Sequence, residues 1–389
     1  MKFKLIILVL LPISLIAQNG FVINGNLKGL GNNKLRVFYL NSNGKTKLDT
    51  ITPFSNDQFL WKGNFNEPQI IRIEVLDTTQ YLRVGKAVSL PPPITLLLSN
   101  SVININGDAH EIYKADLFSN DSLVKEYETY RKEEIANTES IWNLQKVYNR
   151  KLNENDTVGN GELIRKRKSL YVENQQMRLK FIKTHPKSFI SVLMLSNLTL
   201  VVPPSELKYI YSQFGESVKN SNAGKLLFDK IESLVATAIG KPLINFSQVG
   251  YDGNVVNTAE LKGKVIILDF WGSWCVPCRK SHPGLKKIYE KYHAKGLEII
   301  GIANESAAVG KSKEEQTKSW QKAIHEDKLP WLQVLYDEAK IDLVKMYEIT
   351  GYPTKFVIDQ NGRFVLKVLG GSENSEADLE KKIAELLSN

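Results

Sequence analysis

Residues 265–278 constrain this chain more than any other stretch. Val265-Ile266-Ile267-Leu268-Asp269-Phe270-Trp271 runs through Gly272-Ser273-Trp274 into Cys275-Val276-Pro277-Cys278. The first seven residues read as one continuous buried strand with a single carboxylate inside it, and the cysteines fall where a helix begins. Strand and helix alternate through the rest of residues 240–389. Residues 297–303 read as a second strand, and 283–293, 314–326, 338–347 and 377–387 as helices. Residues 354–358 and 363–369 read as a hairpin around Asn361-Gly362. The pattern predicts an α/β domain with a mixed central sheet flanked by helices.

The chain holds two cysteines, both in that turn. This excludes a disulfide-stapled scaffold, and also a site that needs four thiolates. A CxxC at a strand–helix junction is a redox signature, because a helix N-terminus offers positive partial charge and free N–H groups that favour a thiolate. Cys275 is predicted to face solvent as the nucleophile, and Cys278 to point inward as the resolving thiol. In the reductive direction the Cys275 thiolate attacks a substrate disulfide, and Cys278 then attacks Cys275 and frees the reduced substrate. The second step needs a proton acceptor. Asp269 fits: burial disfavours a charged carboxylate and so suits it to proton exchange. The competing reading leaves Asp269 at the strand end, solvated or hydrogen-bonded.

At 389 residues the chain is too long for one ordinary domain. Residues 1–17 have the layout of an export signal: Lys2 and Lys4, then an apolar run broken by Pro12, too short to span a bilayer, then polar residues from Gln18. Cleavage after Ala17 and a soluble, periplasmic mature protein are expected. Residues 21–108 read as an antiparallel β-domain of short β-branched and aromatic runs, with turn chemistry at Gly25-Asn26, Gly31-Asn32-Asn33 and Asn43-Gly44 and an edge or crossing at Pro91-Pro92-Pro93. Residues 109–239 read as a helical region. The net charge of +9 mixes 51 basic with 42 acidic residues, so no nucleic-acid surface is implied. The tight cluster Arg165-Lys166-Arg167-Lys168 reads as a solvated helix face.

The segment 269–280, Asp269-Phe270-Trp271-Gly272-Ser273-Trp274-Cys275-Val276-Pro277-Cys278-Arg279-Lys280, resembles the active-site segment of thioredoxins and of exported TlpA/ResA-type thiol–disulfide oxidoreductases. Gly351-Tyr352-Pro353-Thr354 resembles that family's second hallmark, a loop holding a cis-proline. The resemblance covers residues 240–389, and more loosely the N-terminal extension of some members. It implies a thioredoxin-like fold, Asp269 as the buried aspartate, a cis Pro353 facing the disulfide, and Tyr352 pairing its backbone with a substrate strand. It also implies substrate contact at Trp274, with Val276 and Pro277 tuning the cysteines and lining that surface. No cofactor is implied beyond the redox-active Cys275–Cys278 disulfide, and no metal. One departure stands out: many exported members carry a glutamate three residues after the second cysteine, where this chain has Ser281. That weakens any specialised role borrowed from them. His282 beside it reads as a packing or surface residue.

Val276-Pro277 adds no positive charge between the cysteines, and the proline matches the reducing thioredoxins. A protein-disulfide reductase or isomerase in cell redox homeostasis is expected, acting on protein or small-molecule disulfides and recharged by a membrane-bound electron donor. The alternatives are a thiol peroxidase, which lacks support because Cys275 is not preceded by the proline and threonine of a peroxidatic pocket, and a substrate-binding protein with a structural disulfide.

Overall fold

The structure is a computed structural model that describes residues 20–40, 46–308, 310–370 and 373–388. The export signal at residues 1–17 and the turn at Asn43-Gly44 lie outside the described residues. The chain forms two compact units: one runs to Val201 and takes in Ile210–Lys225, the other comprises Val202–Tyr209 and Leu226 onward. The helical stretch is thus divided between them.

The first unit contains β1 (Phe21–Lys28), β2 (Leu35–Leu40), β3 (Thr46–Ile51), β4 (Gln58–Gly63), β5 (Gln69–Val75), β6 (Leu82–Val84), β7 (Ala87–Ser89), β8 (Ile94–Leu98), β9 (Val102–Asp108) and β10 (Asp116–Ser119). They build two four-stranded sheets, β10-β9-β1-β4 and β3-β2-β5-β8, and the small β6-β7 hairpin. Pairing is antiparallel except between β1 and β9, which run parallel. Alternate residues of β1 and β2 point into one core, where Phe21, Ile23, Leu27, Leu35 and Val37 meet Ile71, Ile73 and Ile103. The tri-proline precedes β8, an edge strand. Gly25-Asn26 is not a turn. Both residues lie within β1, and Gly25 pairs with Phe59 across the sheet. A Cβ at Gly25 would sit 1.8 Å from the Phe59 ring, so the glycine is there for close approach rather than for bending.

Helices α1 (Ser122–Asn153), α2 (Asn160–Thr184), α3 (Phe189–Ser196), α4 (Pro204–Ser212), α5 (Glu216–Asn220) and α6 (Asn222–Ala236) follow. Asp121 caps α1 by accepting from the Leu123 and Val124 amides, and Gly159 opens α2 from a left-handed conformation with φ 74°. Arg165, Lys166 and Lys168 lie exposed on α2.

The second unit opens with a two-stranded hairpin, β11 (Ser247–Val249) and β12 (Val255–Asn257). Its main sheet contains β13 (Val265–Trp271), β14 (Leu297–Ala303), β15 (Leu332–Leu335), β16 (Thr354–Ile358) and β17 (Phe364–Leu369), ordered β15-β14-β13-β16-β17. β13, β14 and β15 run parallel, and β16 and β17 are antiparallel to their neighbours. Every residue of β13, β14 and β16 is buried, so both sheet faces are covered. On one face Ile267 and Trp271 pack with Cys278 and Leu285 of α7 (Val276–Tyr292), Trp320 of α8 (Lys313–Asp327) and Ile383 of α10 (Glu373–Leu387). On the other, Leu268 and Phe270 pack with Phe356, Phe364 and Tyr347.

Two helices differ from expectation. The one read from residue 283 begins at Val276, with Pro283 inside it. The one read over 338–347 shrinks to α9 (Leu343–Met346). There Asp337 and Asp342 accept the backbone N–H groups of Ala339 and Lys345, and these local turns replace the earlier helical bonds.

Candidate active site

Three loops meet at one end of the second unit's sheet. The first leaves β13 at Trp271 and becomes α7. The second leaves β14 at Ala303, with the Asn304 amide bonded to the Trp271 carbonyl. The third enters β16 at Thr354, which pairs with Phe270 of β13.

Cys275 is the N-cap of α7, and its sulfur accepts the Cys278 amide at 3.2 Å. Pro277 occupies the first turn, where a missing N–H costs nothing. Cys275 and Cys278 form a disulfide. The expectation that Cys275 faces solvent is not met: it is 3% exposed and Cys278 1%. In the disulfide the Cys275 sulfur lies against the first helical turn, where it serves as the capping acceptor. Trp274 and Val276 on either side stay open, at 38% and 62%.

Asp269 is 1% exposed and shares its face of β13 with Ile267 and Trp271, which pack against Cys278. It is not alone there. Lys355 of β16, directly opposite in the register and itself 3% exposed, holds its Nζ 3.3 Å from Asp269 Oδ1. The pair sits at ion-pairing distance without hydrogen-bond alignment, so Oδ1 accepts no aligned hydrogen bond. Lys355 Nζ also donates to Ser281 Oγ at 3.3 Å, and Ser281 donates to the Cys278 carbonyl at 2.8 Å.

The Tyr352–Pro353 peptide is cis. Trp274 meets the Tyr352 ring edge-on, with centroids 5.4 Å apart. Asn304 ties both: its carbonyl accepts Trp274 Nε1 at 2.8 Å, and its side-chain amide donates to the Tyr352 hydroxyl at 2.7 Å. Burial pushes the Tyr352 phenol up from its ordinary value. Next to Asn304, fully buried Glu305 accepts both the amide and the hydroxyl of Ser273 at 2.6 Å, pinning the loop before Cys275.

His282 is buried and packs as expected. Its Nδ1 lies 2.7 Å from Asp327 Oδ2, and its ring meets Trp271 edge-on. Burial alone would raise the Asp327 carboxyl, but hydrogen bonds from Arg279 and His282 outweigh it and hold the group below its usual range.

Lys355, Asn304 and Glu305 escaped sequence reasoning. For Lys355 the signal existed: a charge inside the apolar run Thr354-Lys355-Phe356-Val357-Ile358, the same anomaly that singled out Asp269.

Residues 238–383 match the family model described as Redoxin, and residues 21–155 match a domain of unknown function, DUF4369. A thiol-disulfide oxidoreductase ResA of Bacillus cereus is 34% identical over 142 residues, 36% of this chain and 75% of that protein. ResA of Bacillus subtilis (strain 168) is 29% identical over 134 residues, 34% of this chain and 67% of that protein. Among solved structures, a thiol:disulfide interchange protein from Bacteroides sp. is 31% identical, covering 40% of this chain and 93% of its own, with a TM-score of 0.33.

Proposed function

The chain belongs to the ResA family of thiol–disulfide oxidoreductases, and from that premise we propose that it is an exported enzyme that reduces or isomerises protein disulfides through Cys275 and Cys278. Its second unit is a thioredoxin-like domain. The observation that carries the reading is the Cys275 sulfur at the N-cap of a 17-residue helix, accepting a backbone N–H. The same donor and the helix dipole favour a thiolate at that atom once the disulfide opens.

In the proposed cycle the Cys275 thiolate attacks one sulfur of a substrate disulfide. The substrate's other sulfur leaves as a thiolate, and Cys275 is left in a mixed disulfide. Cys278 gives its proton to the Asp269 carboxylate, attacks the Cys275 sulfur and expels the second substrate thiolate, regenerating the Cys275–Cys278 bond. Two electrons pass to the substrate per turn, so a dithiol donor must reduce the pair again; for an exported protein we assign that role to a membrane-bound donor. Trp274, Val276, Pro277 and Tyr352 provide the docking surface and Pro353 shapes the loop opposite.

The test is a Cys278→Ser variant, which cannot resolve the mixed disulfide and should accumulate covalent adducts with exported proteins, identified by mass spectrometry. Recovery of no adduct above a Cys275→Ser control refutes disulfide reduction. The rival in which the disulfide is structural requires a reduction potential below about −300 mV, read by equilibration with dithiol buffers.

A further inference from the structure

Asn304 follows directly on β14 and is buried, with its backbone and side-chain polar groups all engaged. Its amide donates to the Trp271 carbonyl at 2.9 Å, and its own carbonyl accepts Trp274 Nε1 at 2.8 Å. Its Oδ1 accepts the Ser306 hydroxyl at 2.7 Å and the Ala307 amide at 3.3 Å, which leaves Nδ2 to donate to the Tyr352 hydroxyl at 2.7 Å. Those partners fix which way the side-chain amide points. A buried asparagine needs partners for the fold alone. Two of these, however, are the aromatic side chains of separate loops, one directly before Cys275 and the other directly before Pro353. The indole also lies back over Gly272, where a Cβ would meet Trp274 Nε1 at 2.5 Å.

We propose that Asn304 is a positioning residue for substrate docking: it holds Trp274 and Tyr352 as one pre-set aromatic wall beside the disulfide, which recognises the polypeptide around a substrate disulfide rather than the disulfide alone. This rests on the thiol-exchange reading above. Each of the two rings carries a single polar group, and Asn304 engages both. The remainder of each ring is apolar contact surface, and Trp274 keeps part of it open to solvent. An indole free to turn on a loop loses that freedom when a partner docks, whereas one already held loses little. Glu305 anchors the adjoining Ser273 by its amide and hydroxyl, so both residues before Cys275 are tied to the end of β14. The Asn304 side chain acts on the wall in two ways. Nδ2 holds Tyr352 directly, and Oδ1 holds the turn through residue 307 that aims the Asn304 carbonyl at Trp274.

The experiment oxidises reduced full-length protein with excess insulin and, separately, with excess bis(2-hydroxyethyl) disulfide, and counts the remaining protein thiols by acid quench, alkylation and mass spectrometry. Each reaction takes the protein dithiol to the Cys275–Cys278 disulfide and one disulfide of the oxidant to two thiols, and only insulin presents polypeptide around its disulfide. In Asn304→Ala the ratio of the insulin rate to the small-disulfide rate should fall about tenfold. Tyr352→Phe removes one of the same bonds from the other side and should lower the ratio about threefold, and the double variant should fall no more than about twofold below Asn304→Ala. Tyr352→Phe decides the matter if Asn304→Ala fails to fold, since an unmoved ratio there overturns the proposal. Equal slowing with both oxidants in Asn304→Ala, or a double variant in which the two losses multiply, also overturns it. So does a wild type that is oxidised by the small disulfide and leaves insulin intact. A wild type oxidised by neither instead overturns the thiol-exchange reading, and this inference with it.

Discussion

Asp269→Asn is the most informative single change for stability, because the side chain it alters has a buried partner. Lys355 Nζ lies 3.3 Å from Asp269 Oδ1 with the two side chains 3% and 1% exposed. At an effective dielectric constant of 20 that separation corresponds to an attraction of about 5 kcal/mol. Removing one partner of a buried pair costs about 3–5 kcal/mol, since the survivor is left as an uncompensated charge. Asp269→Asn is near-isosteric, so little of its cost comes from packing. The expected loss is about 4 kcal/mol, which with a urea m-value near 2 kcal/mol/M moves the midpoint down by about 2 M. Tryptophan fluorescence follows the transition, because Trp271, Trp274, Trp320 and Trp331 all lie in the redox unit. The double variant Asp269→Asn/Lys355→Met removes both charges and should recover most of the loss, a coupling that a simple packing defect does not produce. A single variant within 1 kcal/mol of wild type, or a double variant no more stable than the single, would refute the claim that the two charges support each other.

The neighbouring contacts are open to similar tests. Glu305→Ala strips Ser273 of two charge-assisted hydrogen bonds and should cost about 3 kcal/mol in urea unfolding; a loss under 1 kcal/mol contradicts the pinning role. The Asp327 carboxyl is held low by Arg279 and His282. Its stabilising contribution is therefore complete above its unfolded value near pH 4 and is lost as pH falls through the folded value. Asp327→Asn should lower stability at pH 7 and flatten the decline of the urea midpoint below about pH 4; an unchanged acid slope counts against it. In the reduced protein, iodoacetamide should modify Cys275 at least tenfold faster than Cys278, as peptide mapping would show; equal rates contradict the assigned roles. Reduced wild type should reduce insulin and turn over hydrogen peroxide poorly, and the reverse pattern favours the peroxidase alternative.

Much of the redox unit was legible because its signals are local. An apolar run such as Val265–Trp271 has few uses other than a strand covered on both faces, and a CxxC directly after it marks the next helix. Burial of Asp269 follows from its place in that run. What escaped depends on residues far apart in sequence. Asn304 and Glu305 look like ordinary loop polar residues until the end of β14 is laid beside Ser273, Trp274 and Tyr352. His282 finds Asp327 only once α7 lies beside the end of α8. Gly25-Asn26 misled because glycine serves two purposes, turning and close approach, and only the Phe59 ring across the sheet tells them apart. The exposure of Cys275 was misjudged because position within a CxxC turn does not show how closely its neighbours pack around the residue, which is 3% exposed.

Under the proposed cycle, recognition and proton handling fall to different groups of the site. Around the disulfide the outward side chains are apolar, Trp274 and Val276, and the nearest basic residue on α7, Arg279, is occupied by Asp327 and Glu326. The charged side chains Asp269 and Lys355 are instead buried in the sheet. An exposed charge pair would be screened by water and salt, whereas this one, 1% and 3% exposed, is shielded from both. With a single dithiol in the chain, every substrate of the proposed cycle passes through the same resolving step. Under the proposed cycle that shared step takes place beneath the surface, while the exposed Trp274 and Val276 offer apolar contact above it.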